Sequence, residues 1–168
     1  MSNGLGFLYN NHLRSSRIAP GYGQMLPLTR SGSTNSPTLL FAGEGGTRVP
    51  RLAVSAAGNA WITASIYSII ANVVDGRMPM QRAIEAPRFL VGRDPADPLG
   101  NAGRIQIEDR IPRTILEDLI ARGHVFQKIG RKGEVRYGHA SAILVDVKNR
   151  TVEGGAEPRR SHGAVAVP

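Results

Sequence analysis

Four histidines, His12, His124, His139 and His162, are the side chains best suited to move protons near neutral pH, and none stands at a recognisable spacing from a serine. A G-x-S-x-G elbow, a P-loop, an H-E-x-x-H pair and an EF-hand loop are all missing. The chain has no cysteine, which excludes a thiol nucleophile, a disulfide and a thiolate metal site. Glu108 and Asp109 are adjacent, so they fall on opposite faces of a strand or at a turn and make a poor acid/base pair. Glu117 and Asp118 suit a solvated helix face. No metal and no cofactor is called for. What remains is backbone chemistry at Ser55-Ala56-Ala57-Gly58-Asn59, which joins a strand directly to the start of a long helix. Such a junction offers unpaired N–H groups and the positive end of a helix dipole. It can bind a carboxylate or stabilise an oxyanion. The same spacing also suits a plain strand-to-helix turn with Asn59 near the cap.

The elements that hold this junction are legible on both sides. Residues 37–42 read as a buried strand, Gly43-Glu44-Gly45-Gly46 as a turn and 51–56 as the return strand of a hairpin. Beyond the junction, Ile62, Ile66, Ile69, Ile70 and Val73 share one helix face. Trp61, Ala64 and Ala71 lie on other faces, so the helix is expected to be largely buried until Gly76 ends it. A shorter helix opens at Pro79 and stops before Pro87. Residues 93–103 read as a loop and 104–108 as a strand. Pro112 opens a third helix that points Ile115, Leu116, Leu119 and Ile120 inward and ends at Gly123. Strands follow at 125–129, 139–147 and 151–155. The order predicts a layered α+β domain.

A length of 168 residues, 41% hydrophobic and 20% charged, fits one globular domain with its own core. The formal charge of +8 invites a nucleic-acid partner. The arginines, however, are spread singly, with Arg159-Arg160 the only adjacent pair, and aromatics are few. A nucleic-acid binder concentrates its cations on one face, so no nucleic-acid partner is expected, and the charge reads as a compositional habit. The longest apolar stretch, 60–74, carries Thr63, Ser65, Ser68 and Asn72 and is too short to span a bilayer. No membrane segment and no signal peptide is expected.

Several stretches occur in a telling order: Gly6-Phe7-Leu8-Tyr9-Asn10-Asn11, Ser33-Thr34-Asn35-Ser36-Pro37-Thr38, the Gly58 junction and Ala86-Pro87-Arg88-Phe89. Gly123-His124, Gly138-His139-Ala140-Ser141-Ala142-Ile143 and Glu157-Pro158-Arg159 continue it. Together they resemble the small subunit of the gamma-glutamyltranspeptidase family. The resemblance implies an α+β fold, a partial N-terminal-nucleophile hydrolase αββα sandwich lacking its N-terminal strands. It implies one domain over 1–168, the C-terminal portion of such a small subunit, with 14–36 as a substrate-side loop.

It further implies acyl transfer or hydrolysis of gamma-glutamyl amides of the glutathione type, through a threonine whose free amine is the base. Ser33 and Thr34 would bind the glutamyl carboxylate, and Gly58 and Asn59 would form the oxyanion hole, with the Asn59 side chain narrowing the approach. Asn11, His12 and Ser15 would line the amine side. His12 stands where the family has Gln, and Ser15 where it has an Asp that contacts the substrate ammonium. That difference points toward an acylase for glutaryl-type substrates as an alternative. The nucleophile and its strands would precede Met1, so the chain is expected to be inactive alone and to need an N-terminal, large-subunit portion. A non-catalytic remnant or binding module of the same fold is the other alternative. The isolated chain, with unpaired strand edges, is expected to self-associate.

Overall fold

The computed structural model describes residues 35–58, 60–93, 102–129, 138–159 and 163–165. The expected hairpin is present: β1 (Thr38–Ala42) runs antiparallel to β2 (Val49–Ala57) across a short 3-10 turn at Gly45–Thr47. The expectation that its first strand is buried is corrected, because β1 lies at the sheet edge and none of its residues is fully buried. On its other side β2 pairs with β6 (His139–Asp146), and β6 pairs with β7 (Thr151–Ala156). The result is a four-stranded antiparallel sheet in the order β1-β2-β6-β7. Side chains alternate across it. Leu52, Val54, Ala140 and Ala142 are buried on one face, while Ser55, Ser141 and Ile143 are exposed on the other.

The buried face is covered by α1 (Trp61–Val74) and α2 (Met80–Glu85). Ile62, Ile66 and Ile69 are buried in the core, with Ile70 and Val73 packed at its margin, so the predicted face is the observed one. Burial does not run all round the helix, because Thr63, Tyr67 and Val74 remain exposed. Two serines are buried in α1. The Ser68 hydroxyl donates to the Ala64 carbonyl at 2.8 Å, one turn back, and Ser65 faces a charged group described below. The second helix is short, as its flanking prolines require, and buries Met80, Ala83 and Ile84. Polar bonds fix it to the sheet. Glu153 accepts from the Met80 N–H at 3.1 Å, and the Gln81 side chain makes two 3.0 Å bonds to the Ala156 backbone. Asn72 of α1 donates to the Ala83 carbonyl at 3.2 Å, which joins the two helices.

A second, three-stranded sheet contains β3 (Phe89–Arg93), β4 (Ala102–Glu108) and β5 (Phe126–Ile129). The pairing of β3 with β4 is antiparallel and that of β4 with β5 is parallel, the two parallel strands being joined through α3 (Arg113–Ala121). The strand β3 is one more than the sequence pattern predicts; five residues containing a glycine are too few to display an alternation. The inward face expected of α3 is also corrected. Leu116 is buried, but Ile115 and Ile120 are 51% and 56% exposed. A three-stranded sheet ending in a four-residue strand offers a helix only a narrow surface, wide enough for one row of side chains. Among the described residues, no helix is long and apolar enough to cross a membrane.

Candidate functional site

The strand-to-helix junction is described at Gly58 and again from Ala60 onward. Gly58 has φ +127°, a conformation open to glycine and strained for residues with a Cβ. The Gly58 carbonyl accepts from the Trp61 N–H at 3.2 Å. The first residue ahead of α1, Ala60, gives no side-chain cap, and the first turn holds no acidic residue. The partial positive charge of this helix end is therefore not offset by a carboxylate of its own first turn. On the sheet side, Ala57 is paired with His139 at the start of β6, so the turn sits between a fixed register of β2 on β6 and the first turn of α1. Hydrogen-bond donors held rigidly at a helix N-terminus can stabilise a developing oxyanion.

Next to this turn lies a chain of charges, Arg88, Glu157, Arg159 and Glu108, all with buried side chains, ending in the partly exposed Arg110. Arg88 is 1% exposed. Its Nη2 lies 2.7 Å from Glu157 Oε2 and donates to the Ile84 carbonyl at 3.0 Å. Its Nη1 donates to Ser65 Oγ at 3.3 Å and to the Gly138 carbonyl. Arg159 joins both glutamates. Nη1 lies 2.8 Å from Glu157 Oε1, while Nε and Nη2 bind the two Glu108 oxygens at 2.5 and 2.8 Å, a bidentate geometry. Arg159 also donates to the carbonyls of Ile84 and Ala86, and Arg110 closes the chain on Glu108 at 2.8 Å.

The ionisation of this chain follows its geometry. Burial would raise the Glu157 carboxyl, but the Arg88 charge and the Arg159 hydrogen bond outweigh it, and the net direction is downward. Arg88 moves below its ordinary value because burial outweighs the attraction of Glu157. Arg159 moves above its own: burial opposes the shift, and its bonds to Glu108 and Glu157 prevail. The two members of the Arg88–Glu157 pair thus differ. Glu157 faces two guanidinium groups, whereas Arg88 has one adjacent carboxylate and feels the charge of Arg159.

An open groove of about 1090 Å³ lies elsewhere, on the outer face of the four-stranded sheet, and Ala53, Ser55, Ser141, Ile143 and Val165 are among its lining. Gly58 is not part of it. The surrounding surface is apolar, with Leu39, Phe41, Ile143 and Val152 exposed. No group of His, Asp and Glu side chains able to hold a metal occurs among the described residues.

The family model of gamma-glutamyltranspeptidase matches residues 1–167. The chain belongs to the gamma-glutamyltranspeptidase family. Among curated relatives, the glutathione hydrolase proenzyme of Bacillus subtilis (strain 168) is 27% identical over 163 residues, covering 96% of this chain and 25% of that protein. The acylase ACY 1 proenzyme of Pseudomonas sp. (strain V22) is 28% identical over 164 residues, 98% of this chain and 26% of that protein. The chain thus spans about a quarter of the length of the curated relatives it matches. Among solved structures, a gamma-glutamyltranspeptidase of Pseudomonas nitroreducens complexed with L-DON is similar with a TM-score of 0.71 at 22% identity, over 99% of this chain and 84% of that one. A Helicobacter pylori gamma-glutamyltranspeptidase gives 0.68 at 26% identity, over 95% and 85%. The gamma-glutamyltranspeptidase fold, α+β and of the N-terminal-nucleophile hydrolase type, is therefore the fold of this chain, in partial form.

Of the site residues that the sequence singles out in this chain, Gly58 is the one that falls among the described residues. Asn11, His12, Ser15, Ser33, Thr34 and Asn59 lie outside the described residues. Sequence reasoning missed the charge chain. It treats the arginines as a compositional habit, although Arg88 and Arg159 are interior residues with defined partners. The signal was present: each stands directly after a proline in a stretch matching the family, and Glu108 closes a strand in which polar and apolar residues alternate.

Proposed function

We propose that this chain is the C-terminal portion, 1–168 as one domain, of a gamma-glutamyltranspeptidase-type small subunit that supplies the oxyanion and carboxylate sites for acyl transfer. The supporting observation is the Gly58 turn, with φ +127°, at the uncapped N-terminus of α1 in a chain of this family. The substrate is a gamma-glutamyl amide of the glutathione type, and the nucleophilic threonine comes from a portion of the protein outside residues 1–168. Its hydroxyl attacks the amide carbonyl while its free amine takes the proton. The oxyanion forms at the backbone N–H groups of Gly58 and Asn59. The substrate's C–N bond then breaks, its amine portion leaves with the proton returned by the threonine amine, and water or an amino acid resolves the ester. Ser33 and Thr34, at the end of the 14–36 loop, hold the substrate carboxylate, with Asn11, His12 and Ser15 on the amine side. The large-subunit portion covers the apolar outer face of the four-stranded sheet, where Leu39, Phe41, Ile143 and Val152 are exposed, as the αββα sandwich requires.

An acylase acting on glutaryl-type substrates is the second reading. It is favoured by the Pseudomonas acylase relatives at 28% and 29% identity and by Ser15, which brings no charge to a substrate ammonium. The test is co-expression of the chain with an N-terminal portion equivalent to the part of its relatives it does not span, followed by release of nitroaniline from gamma-glutamyl and glutaryl anilides. Turnover of the first supports the main reading, and preference for the second supports the acylase. No turnover of either leaves a non-catalytic binding module and sinks both enzyme readings.

A further inference from the structure

We propose that Arg88 is a positioning residue for the Gly58 turn, a guanidinium clamp whose orientation is set by the buried chain Glu157–Arg159–Glu108. The inference rests on the oxyanion role given to that turn above and adds the group that holds it in place.

The turn has two supports, and Arg88 binds one group in each. On the sheet side, Ala57 is registered against His139, and Arg88 holds the carbonyl of the preceding residue, Gly138. On the helix side, Trp61 bonds back to Gly58, and Arg88 holds the hydroxyl of Ser65, one turn further along α1. One nitrogen, Nη1, makes both bonds, so the separation of β6 from the first turn of α1 is fixed by a single rigid group. Gly138 is itself packed so closely there that a Cβ would overlap both Ser65 Oγ and the Trp61 carbonyl. Contact and hydrogen bonding thus define the same geometry.

The remaining charges keep the clamp from rotating. Glu157 Oε2 and the Ile84 carbonyl both take the other nitrogen of Arg88. Glu157 is in turn held by the Ala140 N–H at 3.3 Å and by Arg159, and Arg159 is locked bidentately on Glu108. Apolar residues of like volume could fill this space at no loss of stability. They would not supply directional bonds at fixed angles, and oxyanion stabilisation depends on donors held in advance at the right place.

Arg88→Lys keeps the charge opposite Glu157 but cannot reach Gly138, Ser65 and Ile84 together. Amide hydrogen exchange of this variant is expected to rise about tenfold at Trp61, whose N–H is bonded to the Gly58 carbonyl, while the interior amides of α1 keep their protection. Ser65→Ala, which cuts only the helix end of the clamp, should give the same local rise should Arg88→Lys fold poorly. Arg110→Gln, at the far end of the chain, should lower the melting temperature without this local signature. In the assembled enzyme, Arg88→Lys should reduce kcat by roughly 10- to 100-fold at nearly constant KM. Exchange that stays unchanged at Trp61, or rises uniformly in Arg88→Lys and Arg110→Gln alike, would overturn the clamp. Absence of turnover in the unaltered enzyme tells against the proposed function, and the exchange comparison still decides the clamp.

Discussion

At Glu157 one carboxylate collects two guanidinium groups and two backbone N–H groups: Oε2 takes Arg88 and Ala140, and Oε1 takes Arg159 Nη1 and the Arg159 N–H. The charged form is favoured in the folded state, which lowers the carboxyl below its ordinary 4.5. A depressed acid stabilises the fold above its unfolded pKa, and that contribution is lost as pH falls through the lower, folded value. Glu157→Gln should therefore destabilise by about 3–5 kcal/mol at neutral pH, because Arg88 is left with an uncompensated buried charge. It should also flatten the fall in stability below pH 4.5. Urea midpoints at neutral pH and below that value test both, and an unaltered acid slope in the variant would remove Glu157 from the account.

At the scale of elements, α1 and α3 differ in how they meet their sheets. α1 buries a full row, Ile62, Ile66 and Ile69, whereas α3 buries Leu116 alone. Leu116→Ala should cost about 2–5 kcal/mol, and Ile120→Gln, at 56% exposure, should stay within about 0.5 kcal/mol. Chemical denaturation of the two variants measures the contrast, and equal losses would mean that α3 packs more broadly than described. The same contrast shows what sequence can reveal. Five apolar residues on one face made α1 legible, and the prolines beside α2 marked its limits, because those signals are local. The apolar pattern of α3 has the same form but does not say how wide a surface it will meet. Arg88, Glu108, Glu157 and Arg159 carry no periodic signal, since the pairings of Arg88 with Glu157 and of Arg159 with Glu108 join residues 51 or more positions apart. Gly58 was legible as a junction, and its positive φ agrees with the glycine there, but its proposed chemistry rests on the family.

As a whole, the molecule presents a four-stranded sheet with helices on one face only among its described residues. Leu39, Phe41, Ile143 and Val152 form an apolar surface without a helix above it, and surfaces of this kind favour association. The isolated chain is expected to sediment as dimers or larger species. Ile143→Lys with Val152→Lys should shift it toward monomer by analytical ultracentrifugation, and a monomeric unaltered chain would contradict the expectation. The charge chain has a different consequence for the molecule in time. The ribosome releases Glu108 51 residues before Arg159, an interval of roughly 3–10 s at ordinary elongation rates. Until then the Glu108 carboxylate has only Arg110, itself partly exposed, beside it, and burying it with that single partner is costly. Docking of the nascent three-stranded sheet is therefore expected to be completed only once Arg159 has been synthesised.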